Sequence, residues 1–333
     1  MKAPFSEWAT IRPEHLLKIG RTRHVTVNLV IYRDQNRIFF AGTFTIGDLL
    51  ASLATLHQAV QAGYERITLD FGACIAAFAG PVLAICAQAM KLRGSDVSFE
   101  VVLPRHPELA KLFRNANWAH FLAPEQNPPS QFRGFTQVPA THFTDATEQL
   151  QAVNRIVNGI LGAIPDLDRR ELAALEWSVN EITDNVLVHS QSQIGGLVQV
   201  STFQRVKKRV EYIVVDAGVG IPRTLRQSHP ALSSDAAALE QAIREGVTRD
   251  KSIGQGNGLF GSYQICSHSM GSFQLESGHG KLAFSEREGL RVSSEKVPFD
   301  GTLVMAQINF SDPRLLEEAL RFGGTAARPC GLR

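Results

Sequence analysis

The chain has 333 residues, 44% hydrophobic and 20% charged, which is enough for two globular domains with sizeable cores. A formal net charge of +2 excludes a strong electrostatic pull toward nucleic acid or an anionic membrane, so neither is expected as a partner.

In chain order, residues 25–31 and 37–44 read as paired strands around the turn at Asp34, Gln35 and Asn36. Residues 46–62 have helical spacing, with Leu49, Leu50, Leu53 and Leu56 on one side. A short buried strand is expected at 67–71, a helix at 81–92, a strand at 97–103 and a helix at 107–115. Strands alternating with helices imply an α/β sandwich. Residues 71–90 carry no charge and are long enough to span a bilayer. Their alanine content and the central Gly80–Pro81 instead predict a strand end, a turn and a buried helix.

From 122 to 144 come four prolines and few periodic apolar positions, and this stretch reads as a linker. The second block opens with helices at 147–162 and 168–189, followed by a strand pair at 197–203 and 209–216. The basic residues Arg205, Lys207, Lys208 and Arg209 have no aromatic residues among them and read as a solvated hairpin turn. A helix at 236–245, a glycine-rich loop, a helix at 259–269 and strands at 271–277, 281–285 and 302–310 complete the block. Residues 313–333 read as a C-terminal helix and frayed tail. The cysteines Cys74, Cys86, Cys266 and Cys330 make no C-x-x-C pair, so no zinc knuckle or thioredoxin-like site is indicated. Lys2, Glu7, Arg12 and Glu14 break any apolar run at the start, so no signal peptide is read there and a cytoplasmic location is expected.

Three elements carry chemistry. On the helix at 168–189, Leu172, Leu175, Val179, Ile182 and Val186 form a core stripe. Glu181, Asn185 and His189 lie beside it, each four residues apart and therefore on one face. The apolar strand at 212–215 ends in Asp216, followed by Ala217, Gly218, Val219, Gly220 and Ile221. An acid followed by G-x-G suits a turn where backbone approaches a ligand closely. Gly254, Gly256 and Gly258 then precede Leu259 and a helix, where free N–H groups and the helix N-terminus favour phosphate oxygens.

E-x-x-x-N on a helix, D-x-G-x-G-I after a strand and G-x-G-x-G-L before a helix together resemble the ordered signature of the GHKL ATPases (the Bergerat fold). That superfamily includes histidine kinases, heat-shock chaperone ATPases and anti-sigma-factor serine kinases. A late Gly301–Thr302 matches a fourth family feature, and the resemblance covers residues 145–312. It implies an α/β sandwich with a mixed sheet covered by helices, binding ATP and Mg²⁺. Asp216 would accept a hydrogen bond from the adenine amino group, supported by Thr302, with Gly218, Gly220 and Ile221 shaping the turn against the base. Asn185 would help hold Mg²⁺ between the phosphates, and Gly254, Gly256, Gly258 and Leu259 would form the phosphate cradle. Residues 222–253 would form a lid, with Arg249 or Lys251 reaching the γ-phosphate. Glu181 would act as the catalytic base in a hydrolytic branch, or position the acceptor in a kinase branch. His189 is similar to a basic residue found at this distance after the asparagine in anti-sigma and histidine kinases; a helix-capping role is an equal alternative. No histidine between 155 and 168 is placed as a phosphoacceptor, so a self-phosphorylating sensor kinase is not expected.

In the first block, the strand ending in Asp70–Phe71, the helix start at Phe78, Ala79, Gly80 and Pro81, and the strand at 97–103 resemble STAS domains, over residues 23–121. STAS switches commonly carry a phosphorylatable serine before that glycine; Ala79 stands here, which removes the phosphoserine switch. Gly256, Gly258 and Gly261 also spell a dinucleotide fingerprint, with Glu276 near the distance of a ribose acid, but the preceding residues are too charged for the strand it needs. The expected activity is regulatory ATP hydrolysis or protein Ser/Thr phosphorylation, with ATP-driven lid closure controlling a protein partner through the STAS-like domain. The alternative is a non-catalytic, nucleotide-dependent scaffold in bacterial signalling or stress response. GHKL proteins often dimerise, so a homodimer is compatible with the resemblance, although no long heptad helix enforces one.

Overall fold

The structure is a computed structural model describing residues 28–130, 137–163, 167–203, 209–247 and 257–310. The first sheet grows from a hairpin of β1 (Val30–Asp34) and β2 (Arg37–Phe44). Asp34 pairs with Arg37 around a tight turn in which Gln35 has φ 51°, so β1 runs up to the turn rather than ending at residue 31. There follow α1 (Leu49–Gln61), β3 (Arg66–Asp70), β4 (Cys74–Ala77) and α2 (Ala79–Arg93). β5 (Ser98–Val102), α3 (Pro107–Asn115) and α4 (Trp118–Leu122) close this half. The strand order is β1-β2-β3-β5, with β4 paired to β2. β1–β2 is antiparallel, while β2–β3, β2–β4 and β3–β5 are parallel, as helical crossovers require. The short β4 and α4 leave no mark in the sequence pattern, because each is under six residues.

The second half contains β6 (Gln137–Phe143), α5 (Ala146–Ala163), α6 (Ala173–His189), β7 (Gly196–Phe203) and β8 (Arg209–Asp216). It continues with α7 (Ile221–Ser228), α8 (Asp235–Ala242), α9 (Gly258–His268), β9 (Ser272–Ser285) and β10 (Gly289–Asn309). β6 lies inside the expected linker, yet it pairs with β7 as the edge of the second sheet. The sheet order is β6-β7-β8-β10-β9, and every neighbouring pair is antiparallel, so the expected mixed sheet is corrected here. Connectivity accounts for two of the four pairs, since β7–β8 and β9–β10 are consecutive strands that run directly back on one another. The two late strands expected at 271–277 and 281–285 are one strand, which passes through Gly278 at φ 57°. β10 begins at Gly289 rather than 302, because its polar first half pairs with the outer half of β9.

Side chains alternate along the second sheet and serve two cores. Val198, Val200, Tyr212, Val214, Val304 and Ala306 pack with residues of α5, α6 and α9 on one face. Leu197, Ile213, Val215 and Leu303 point the other way and join one continuous core with α1, α2 and the first sheet. α2 is thus sandwiched between two sheets, and all eleven residues from Ala79 to Ala89 are buried. This placement explains the charge-free stretch, since a helix apolar all round must be covered all round. Among the described residues, no helix is long and apolar enough to cross a membrane. Polar bonds tie the layers: Trp118 Nε1 donates to Gln199 Oε1 at 2.7 Å, and Gln88 Nε2 donates to the Asp300 carbonyl at 2.6 Å. Cys74, Cys86 and Cys266 are free and buried, with thiols pushed up by burial, Cys74 to about 11.

Candidate functional site

The stretch expected as one helix from 168 opens with a 3₁₀ turn, Arg169–Leu172, capped by Asp168, whose side chain accepts from Arg170 N–H at 2.8 Å while Glu171 Oε1 accepts from Asp168 N–H at 2.9 Å; α6 follows from Ala173. Its apolar stripe, including Leu175, Val179, Ile182 and Val186, is buried in the second core. Glu181 and Asn185 consequently emerge half-buried on the adjacent face. They meet the first residue of α9: a Cβ on Gly258 would lie 2.9 Å from Glu181 Oε2 and 3.3 Å from Asn185 Nδ2. The absence of a side chain at Gly258 is what lets the start of α9 sit against this polar pair. Burial raises the Glu181 carboxyl above its ordinary range, and the neighbouring Asp184 carboxylate raises it further. A carboxylate made more basic in this way is better suited to accepting a proton.

The turn after β8 abuts the other end of α6. Val219 N–H donates to the Ser190 carbonyl at 2.8 Å, and a Cβ on Gly218 would collide with that same oxygen. Asp216 is 2% exposed. Its Oδ1 accepts from Gly218 N–H at 2.8 Å, and it is also hydrogen-bonded by the backbone and side chain of Thr302. Thr302 faces Asp216 directly in the β8–β10 register. Burial outweighs these bonds and lifts the Asp216 carboxyl from 3.8 to about 7. Gly301 has φ 114° and lies where any side chain would strike the Asp216 carbonyl.

Gly220 (φ 78°) sits 2.6 Å, measured from a built Cβ, from Ser277 Oγ. That hydroxyl donates to the Gly301 carbonyl at 2.6 Å and accepts from Ile221 N–H at 2.9 Å, clamping the two glycine turns together. Sequence reasoning does not reach Ser277, because a serine within a strand has no distinguishing pattern. Leu259 is half-buried beside the second core. His189 occupies the last turn of α6 and is half-buried.

Gly254, Gly256, Arg249 and Lys251 lie outside the described residues, as do Arg205, Lys207 and Lys208 of the basic run, whereas Arg209 opens β8. The described part of the expected lid, up to Val247, is largely two helices tied down on β9. Asp235 accepts from His279 N–H at 2.7 Å and pairs with Arg226 at 2.7 Å. These bonds hold the Asp235 carboxyl below its ordinary range despite partial desolvation. Glu276 is buried on β9 with Lys281 at 3.2 Å, which makes it an internal ion pair rather than a residue presented to a ribose. No group of three or more His, Cys, Asp or Glu residues capable of holding a metal ion occurs among the described residues.

No family model and no curated protein matches the chain. Among solved structures it is similar to the histidine kinase domain of a blue-light activated histidine kinase from Erythrobacter litoralis EL346. The identity is 14%, over 71% of this chain and 95% of that one, with a TM-score of 0.24.

Proposed function

We propose that residues 145–312 form a GHKL-type pocket that binds ATP with Mg²⁺ and acts as a regulatory ATPase or protein Ser/Thr kinase, preceded by a STAS-like domain. One observation carries the reading: glycine turns distant in sequence converge on α6 and on Asp216 beside it. Gly258 lies against Glu181 and Asn185, Gly218 against the end of the same helix, and Gly301–Thr302 against Asp216. Glycine-only approaches beside a half-buried carboxylate and amide fit a phosphate chain, which needs backbone N–H groups within reach. A buried aspartate at a strand end fits the recognition of an exocyclic amine, provided that it is ionised when the base is bound.

In this reading Asp216 accepts from the adenine amino group, and Thr302 fixes the carboxylate in place. Asn185 offers an amide oxygen to Mg²⁺, which supplies charge neutralisation for the phosphates. Glu181 holds the attacking water or the acceptor hydroxyl and takes its proton. Gly254 and Gly256 complete the cradle, and Arg249 or Lys251 contributes a positive charge at the γ-phosphate. The hairpin followed by parallel strands with helical crossovers supports the STAS-like assignment. The core shared by α1, α2 and the second sheet supports a reading in which a partner bound to the first half acts on the second.

The test is calorimetry with Mg-ATP followed by phosphate release, on wild type and Glu181→Gln. Binding by both proteins with turnover only in wild type is expected. Equal turnover in the variant would sink the role given to Glu181, and no binding by folded wild type would sink the ATP reading.

A further inference from the structure

The adenine end of the proposed pocket is finished by a turn that its own sheet does not hold well. The β9–β10 pairing is irregular on both sides of Phe299, with register shifts between Ser294 and Phe299 and between Phe299 and Thr302. A bulged segment loses ladder hydrogen bonds and needs support from elsewhere. On the inner side, Ser277 Oγ donates to the Gly301 carbonyl at 2.6 Å. On the outer side the support comes from the other half of the chain.

α2 lies along β10. Its Gly80 packs on Met305, with a built Cβ 2.5 Å from Sδ, and its Gln88 reaches the bulge two turns later. Gln88 is 1% exposed, and its Nε2 donates to the Asp300 carbonyl at 2.6 Å. One turn on, Lys91 Nζ is 3.6 Å from Asp300 Oδ2. Phe299 is 1% exposed within the core shared with α1 and α2, so the turn is pinned at adjacent residues by packing and by polar bonds. Asp300 precedes Gly301, which lies against the Asp216 carbonyl, and Thr302, which hydrogen-bonds the Asp216 carboxyl. The positive charge of Lys91 is also felt at Asp216, where it favours the ionised carboxylate.

We infer that Gln88, assisted by Lys91, is a positioning residue for the adenine end of the pocket, so that the N-terminal half completes the nucleotide site through the 299–302 turn. This inference rests on the ATP reading of the site. It gives α2 a specific role, in which a purine-proximal contact is set from the opposite face of the sheet. The phosphate end, at α6 and α9, is built without α2. Binding of the base therefore reports on α2, and binding of phosphates does not.

The test uses the full chain, with Gln88→Met, which keeps length and removes the donor, and Lys91→Met at a half-exposed site. Calorimetry measures Mg-ATP, Mg-ADP and inorganic tripolyphosphate, with thermal unfolding of each protein alongside. Loss of a buried hydrogen bond to the turn is expected to weaken ATP and ADP together by about tenfold in Gln88→Met, with tripolyphosphate unchanged. Lys91→Met is expected to weaken both nucleotides by about threefold, with the effect fading in high salt. Should Gln88→Met fail to fold, the Lys91→Met comparison decides alone. Unchanged nucleotide affinity overturns the inference, as does an equal loss for tripolyphosphate, which would mark a general structural effect. Wild type that binds tripolyphosphate but no nucleotide overturns the inference and the adenine assignment together, whereas wild type that binds ATP, with variants that match it, overturns the inference alone.

Discussion

Replacing Asp216 by asparagine should make the protein more stable at alkaline pH while removing the proposed affinity for nucleotide. Asp216 is 2% exposed, and burial raises its carboxyl from 3.8 to about 7. The folded state therefore holds a proton that the unfolded chain has released between these two values, and stability falls as pH rises through that window. Above about pH 7 the full cost is present, roughly 4 kcal/mol from the rise in pKa. Asparagine cannot ionise and escapes this cost. Its amide oxygen can still accept from Gly218 N–H, but its NH₂ group confronts the donors of Thr302, a pH-independent penalty of about 1–2 kcal/mol. The variant should then gain about 3 kcal/mol relative to wild type between pH 5 and pH 8. Urea unfolding of both proteins at the two pH values, without nucleotide, measures this directly. A stability difference that does not change with pH would refute the burial argument, whatever its sign. In the proposed adenine contact Asp216 accepts in its ionised form, so ATP binding near pH 6 should release a proton, seen as a dependence of the calorimetric heat on the buffer.

Further outcomes follow from the same contacts. Because burial and Asp184 raise the Glu181 carboxyl above 4.5, the acid limb of the kcat profile of the proposed ATP turnover should lie above that pH, and Asp184→Asn should move it downward. Gly218→Ala drives a methyl group into the Ser190 carbonyl and should destabilise the fold by about 1–3 kcal/mol, measured by thermal unfolding. Trp118→Phe leaves the fully buried Gln199 amide oxygen without its donor and should cost about 1–3 kcal/mol, with the loss shared by both halves in a single transition. Two separate unfolding steps in wild type would contradict the shared core.

The local signals are strong wherever a residue's role depends on its neighbours in sequence. The stripe on α6 places Glu181 and Asn185 on one face, and the glycines of the β8 turn announce a backbone that any side chain would obstruct. The apolar strand before Asp216 is equally plain, since a strand buried on both faces has no polar positions to confuse it. β6 is hidden because its proline and polar residues suit an edge strand as well as a linker, and only pairing with β7 distinguishes them. The first half of β10 is hidden for a related reason: its side chains are largely solvated, so the ladder with β9 and not a hydrophobic pattern makes it a strand. Ser277 and Gln88 carry no signal at all, because each acts on a backbone carbonyl far away in sequence, 24 and 212 residues distant. The charge-free stretch around α2 is legible as a buried helix, but what buries it is not. Periodicity reports that a face must leave water, and only the tertiary structure decides whether one sheet or two will cover it, because the hydrophobic effect rewards burial without specifying the partner.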